Sequence, residues 1–186
     1  MISAPQILIA FRAGCAPAIF VLACFGFRGT ILAAVLVAAF LSDVLDGLIA
    51  RRTGQATPAL RYADTIVDTI FYVAAAIALR VVVPNAYAGL WLPLVTIIVV
   101  HVSRTTFELT KYGRVASYHM WSSKVLGLIV VLAFAVVFVT GRPTPLLGVA
   151  LWLGILNECE GFAASVILPD WRCDVPSVLH ARRRMT

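Results

Sequence analysis

The sequence predicts an all-α integral membrane protein, a compact bundle of six transmembrane helices with both termini on the cytoplasmic side, N-in and C-in. Three observations lead there. Of 186 residues 61% are apolar and only 13% charged, with a mean hydropathy of +0.96, whereas a soluble domain is nearer half apolar and a quarter charged. Apolar stretches of roughly 20 residues, the length a helix needs to cross about 30 Å of hydrocarbon, recur along nearly the whole chain. Finally, lysines and arginines are shared unevenly among the connections between those stretches, which sets orientation.

The first span is expected at about 6–25. It lacks the basic start and small-residue cleavage site of a signal peptide, and Arg12 interrupts its apolar run, so it reads as mature structure. The turn Phe27-Arg28-Gly29 leads into a second span at about 30–50, and a third follows at about 61–83. Pro84-Asn85 introduces the fourth, about 86–107. The fifth covers about 121–140, and Gly141-Arg142-Pro143 leads into the sixth, about 145–168.

Two connections are strongly basic: residues 51–61 carry Arg51, Arg52 and Arg61, and residues 104–124 carry Arg104, Lys111, Arg114 and Lys124. Adding Arg12, Arg172 and the run Arg182-Arg183-Arg184 gives twelve cations on one side, against Arg28, Arg80 and Arg142 on the other. Twelve against three places the basic side in the cytoplasm. The tail from Pro169 to Thr186, with Trp171 and its terminal arginines, is expected at the headgroup level. With no repeat and no long linker, residues 1–186 read as a single domain. The net charge of +6 is dispersed rather than gathered on one face, which argues against a nucleic-acid partner. Cys15, Cys24, Cys159 and Cys173 lack metal-type spacing and read as small hydrophobes.

The chemistry gathers on the acids. Nine exist in the chain, and Asp43, Asp46, Asp64 and Asp68 fall within 26 consecutive residues at the ends of the second and third spans. Charge there is costly unless something compensates it, so four together point to a site. At 100° per residue Asp43 and Asp46 lie about 60° apart and Asp64 and Asp68 about 40° apart, each pair on one helix face. Gly47 and Ala50 share the first face, which allows close approach of a helix or a ligand. A short connection makes the two helices antiparallel neighbours, so four carboxylates can converge. Hard oxygen donors without His or Cys favour Mg²⁺ or Mn²⁺. Such ions commonly bridge to phosphate oxygens, and Arg51 at the helix end suits another phosphate. The residues therefore predict phosphoryl-type transfer on a phosphorylated, lipidic substrate.

The order Asp43-x-x-Asp46-Gly47-x-x-Ala50-Arg51, eight residues, one position, three residues, Asp64, three residues, Asp68 resembles the signature of the CDP-alcohol phosphatidyltransferases. Seven of eight fixed positions match, and six spans in under 200 residues also resemble that family. The departure is Leu60, where the family has a glycine that makes room for the nucleotide. The resemblance implies that Asp43, Asp46, Asp64 and Asp68 ligate two divalent ions, with Asp68 also placed as the base. It implies that Arg51 holds the pyrophosphate, and that Asp43, Gly47, Ala50 and the Leu60 position belong to the CDP-binding segment. The implied reaction is attack by an acceptor alcohol on the lipid-side phosphorus of CDP-diacylglycerol, with release of CMP. A homodimer in the bacterial inner membrane, its active site facing the cytoplasm, is also implied.

For the acceptor, Arg104, Lys111, Arg114 and Lys124 lie on the predicted cytoplasmic side and suit the phosphate of an acceptor such as glycerol 3-phosphate. The segment Tyr118-His119-Met120-Trp121-Ser122-Ser123-Lys124 loosely resembles phosphatidylglycerophosphate synthases of the same family. His101, inside an apolar run, is expected to make an interhelical hydrogen bond. Of Glu158 and Glu160, at least one is expected to face the interior and either pair with a basic group or line the acceptor cavity. Three other readings compete. Intramembrane prenyltransferases keep their acidic motifs far apart, unlike the 17 residues between these pairs. A cation-binding transporter would show inverted repeats or interrupted helices, and neither is evident. A non-catalytic relative of the family is the third.

Overall fold

A computed structural model of the chain describes residues 3–27 and 29–183; Arg28, Arg184 and the side chains of Arg182 and Arg183 lie outside the described residues. It contains α1 (Ala4–Cys24), α2 (Gly29–Arg52), α3 (Pro58–Val82), α4 (Trp91–Tyr112), α5 (Trp121–Thr140), α6 (Pro145–Ile167) and the short α7 (Val178–Arg183). Among the described residues there is no strand, only an isolated bridge between Ser117 and Cys173. The first six helices are each long and apolar enough to cross a membrane.

Helix boundaries follow from local chemistry. Ser3 donates its N–H to Gln6 Oε1 at 2.9 Å at the start of α1. Thr57 caps α3 by accepting the Leu60 N–H at 3.2 Å, with Pro58 in the first turn. The largest difference from expectation is α4, which begins and ends five residues later than 86–107. Residues 83–90 form a turn, with Gly89 at φ 74°, which delays the start. At the other end the polar residues Arg104, Glu108 and Lys111 lower the hydropathy without ending the helix. Arg104 and Glu108 pair at i, i+4, and the helix runs on to a left-handed Gly113 at φ 70°.

The chain divides into two compact units. One takes in residues 1–88 and 131–144, the other residues 89–130 and 145–186. In the first, α1 packs against both α2 and α3. Small residues, Ala16, Ala39, Ala75 and Ala78, share its core with Ile19, Leu36 and Phe71. In the second, α4 packs on α6, and α6 on α7, with Tyr118, Met120, Leu168 and Val175 buried between segments. Burial is inverted relative to a soluble protein: Arg12, Arg61, Asp46, Asp64 and Glu108 are inside while Ile98, Val99, Val102 and Leu156 are exposed. That arrangement is stable where the surroundings are hydrocarbon, because charge must then turn inward to find partners.

One close approach sets the first unit. A Cβ on Gly29 would lie 1.7 Å from the carbonyl oxygen of Phe138, so only glycine lets the start of α2 meet α5 there. Gly29→Ala is expected to force these backbones apart and to lower stability by about 1–3 kcal/mol. The control is Gly14→Ala, where a Cβ meets nothing within 4 Å. Thermal unfolding in detergent should separate the two; equal melting would refute the contact.

Candidate active site

Two helices supply the carboxylates. Asp43 and Asp46 sit one turn apart near the end of α2, and Asp64 and Asp68 at i, i+4 in the first half of α3. Asp46 and Asp64 are buried, with side chains 4% and 5% exposed, while Asp43 and Asp68 keep 34% and 27%. One carboxylate oxygen from each of Asp43, Asp64 and Asp68 lies within 4.8 Å of the other two. Three of the four sequence-predicted ligands thus converge directly.

Asp46 joins them through a residue that sequence reasoning did not place here. Arg12 of α1, 1% exposed, reaches into the cluster. Its Nη1 donates to Asp64 Oδ1 at 2.8 Å, stands 3.2 Å from Asp43 Oδ1 and also bonds Asp68, while Nη2 bonds Asp46. Its Nε lies 3.5 Å from Ser42 Oγ. Read in the sequence as an interruption and an orientation marker, Arg12 is the electrostatic centre of the first unit. Removing such a charge from water is tolerable only because four carboxylates and a hydroxyl surround it.

The remaining signature positions lie on the same stretch. Gly47 and Ala50 are buried on α2, and Arg51 is exposed in its last turn. A Cβ on Gly47 would come 3.4 Å from Arg51 Nη1 and 3.8 Å from Arg61 Nη1. Two guanidinium groups therefore converge on the glycine, and buried Arg61 is a further cation beside the aspartates that the motif did not nominate. Leu60 is half-buried in the first turn of α3, its amide held by Thr57.

Does this set fit a divalent ion? The donors are all hard carboxylate oxygens, three already grouped, and the position they share is filled by a cationic group. Both features suit Mg²⁺ or Mn²⁺.

The second unit holds another polar cluster. Arg104 donates through Nε to Glu108 Oε1 at 2.7 Å and through Nη1 to Glu158 Oε2 at 3.1 Å, and its guanidinium lies over the Tyr118 ring. His101 Nδ1 is 3.2 Å from Glu158 Oε1, an interhelical contact between α4 and α6. Glu108, fully buried, also accepts the Ala116 N–H at 2.8 Å and the Ser165 hydroxyl at 2.6 Å. Tyr118 Oη lies 2.9 Å from Ser165 Oγ, and burial pushes the Tyr118 pKa above the ordinary tyrosine range. Glu160 accepts the Ser122 hydroxyl at 2.6 Å.

The four cations expected at the acceptor are held differently. Arg104 is paired as described. Lys111 donates to the carbonyls of Ser165 at 2.8 Å and Val166 at 3.1 Å. Arg114 lies over the Trp171 ring at 4.9 Å, and Lys124 over Trp121 at 4.4 Å. Both of these are exposed.

A family model described as CDP-alcohol phosphatidyltransferase matches residues 2–158, which takes in α1 through most of α6. Searches of curated proteins and of solved structures gave no match. The matched stretch includes all four aspartates, Arg12, Gly47, Arg51 and Arg61, and the chain belongs to the CDP-alcohol phosphatidyltransferase family.

Proposed function

We propose that the protein moves a phosphatidyl group from CDP-diacylglycerol to an acceptor alcohol, itself phosphorylated as in glycerol 3-phosphate, and releases CMP. The observation that carries this reading is the meeting of Asp43, Asp64 and Asp68 on two apolar helices of a chain from this family. Asp43, Asp46, Asp64 and Asp68 would hold two divalent ions, Mg²⁺ or Mn²⁺. Bound there, such ions supply charge neutralisation to the diphosphate and to the departing CMP phosphate.

The chain's own residues do the rest. Arg51 binds the diphosphate as a forked donor at the end of α2. Gly47 and Ala50 present a surface without bulky side chains, against which the nucleotide can lie. Leu60 narrows that side relative to a glycine. The acceptor oxygen attacks the phosphorus on the lipid side, the bond from that phosphorus to the bridging oxygen breaks, and CMP carries the electron pair away. Asp68, partly exposed, receives the hydroxyl proton. Its part is largely to orient that hydroxyl, since a carboxylate that ligates a cation is a weak base. Arg104, Lys111, Arg114 and Lys124 are assigned to the acceptor phosphate on grounds of charge.

We place the aspartates on the cytoplasmic side of a bacterial inner membrane, N-in and C-in, because twelve of fifteen cations fall on that side. Residues 1–186 act as one catalytic domain, with a homodimer as the working form.

The test is CMP release from CDP-diacylglycerol by purified protein with Mg²⁺ or Mn²⁺, offered glycerol 3-phosphate, inositol phosphate, inositol, serine or glycerol. Release that depends on a phosphorylated acceptor is expected. Release only with an unphosphorylated alcohol would move the acceptor assignment, and absence of CDP binding would favour a non-catalytic relative.

A further inference from the structure

We infer that Arg12 is a built-in counter-cation, a positioning residue that occupies the aspartates' cation site and gives it up to the divalent ion. The inference rests on the metal-dependent reading above and concerns how the ion enters.

The geometry makes the two cations alternatives. Nη1 of Arg12 stands 2.8 Å from Asp64 Oδ1 and 3.2 Å from Asp43 Oδ1, and bonds Asp68 as well. These are the three residues whose oxygens group within 4.8 Å. A magnesium-sized ion needs oxygens at about 2.1 Å, so an ion bound by these three aspartates draws in the same carboxylates that Nη1 now holds. The two cations compete for those oxygens, and their charges repel.

Electrostatics gives the exchange a direction. Arg12 against four carboxylates leaves three negative charges, which Arg61 and Arg51 nearby offset only in part. Arg12 holds α1 to α2 and α3 through Asp46 and the other three aspartates, so the site exists before the ion arrives. The guanidinium offsets part of the carboxylates' mutual repulsion at that stage. A divalent ion brings twice the charge to the same oxygens and a closer approach, which is what lets it displace the arginine. Arg12 therefore weakens the site's affinity for metal and in return keeps the metal-free site assembled.

Mn²⁺ binding to purified full-length protein, followed by electron paramagnetic resonance without nucleotide or lipid, tests this, together with melting in EDTA. Arg12→Met is expected to bind Mn²⁺ about tenfold more tightly than the wild type or better, and to melt lower in EDTA. It should also gain more thermal stability from added Mn²⁺. Should Arg12→Met fail to fold, Arg12→Lys, which keeps a charge but not the fork, should still bind Mn²⁺ more tightly than the wild type. Unchanged or weaker Mn²⁺ binding in the folded variant would overturn the inference and leave the metal reading standing. Absence of Mn²⁺ binding from wild type and variants alike would overturn both, and a purely structural arginine would lower melting without raising affinity.

Discussion

Asp64→Asn is expected to reduce CMP release by at least about 10²-fold at saturating Mg²⁺ while leaving the protein folded. Asp64 is buried, donates one of the three grouped oxygens, and is the aspartate that Arg12 Nη1 holds at 2.8 Å. An asparagine keeps the shape and one acceptor oxygen but removes the charge that a hard cation requires. Folding should survive because Asp43, Asp46 and Asp68 still hold Arg12. Losing one of four clustered acids also relieves repulsion when no metal is bound. Asp43→Asn should behave alike, with its partial exposure making the effect on stability smaller still. Circular dichroism and melting in detergent establish the folded state, and turnover is then read across a Mg²⁺ titration. Near-normal turnover at saturating Mg²⁺ would remove that aspartate from the mechanism.

The aspartates were legible because their information is local. Asp43 with Asp46, and Asp64 with Asp68, declare a common helix face through spacing alone, and only 17 residues separate the pairs. The six spans were legible for the same reason, since apolar length is a local property. Arg12 was not, because its partners lie 30 to 56 positions along the chain, and spacing says nothing about which helices meet. A signal was nonetheless present: an arginine well inside an apolar span requires a counter-charge, and the four unpaired acids of the next two spans were the nearest supply. In the sequence Arg61 reads as a loop cation because the apolar run begins there, whereas Thr57 and Pro58 start α3 earlier and bring Arg61 inside. Glu108 escaped notice because it belongs to no motif and sits where α4 was expected to have ended. Its i, i+4 relation to Arg104 was the available clue. That Glu158 meets both Arg104 and His101 agrees with the expectation that a mid-span acid finds a basic partner.

Glu108→Leu should be among the most destabilising single substitutions in the second unit, costing about 3–5 kcal/mol. The side chain is fully buried and serves three partners: Arg104 Nε, the Ala116 N–H and the Ser165 hydroxyl. Leucine matches its bulk but satisfies none of them. Arg104 keeps Glu158, so its charge is not wholly orphaned. The Ala116 amide, however, is left buried without the carboxylate, and the segment from Gly113 to Met120 loses its side-chain hydrogen bond to α4. A fall of about 10 °C in the melting temperature of the solubilised protein is expected. Glu108→Gln should cost less, because an amide oxygen can still accept from Ala116 or Ser165. The double variant Arg104→Met with Glu108→Leu should recover part of the loss, since the buried cation leaves along with its partner. If the double variant instead sums the two single losses, Glu108 and Arg104 act independently, and the cluster is a set of separate contacts rather than one charge-compensated unit. Recovery of stability would establish the pair as structural, and transferase activity in that recovered variant then decides whether Arg104 also serves the acceptor. Stability without activity would assign it that second role, and activity retained would leave the acceptor phosphate to Lys111, Arg114 and Lys124.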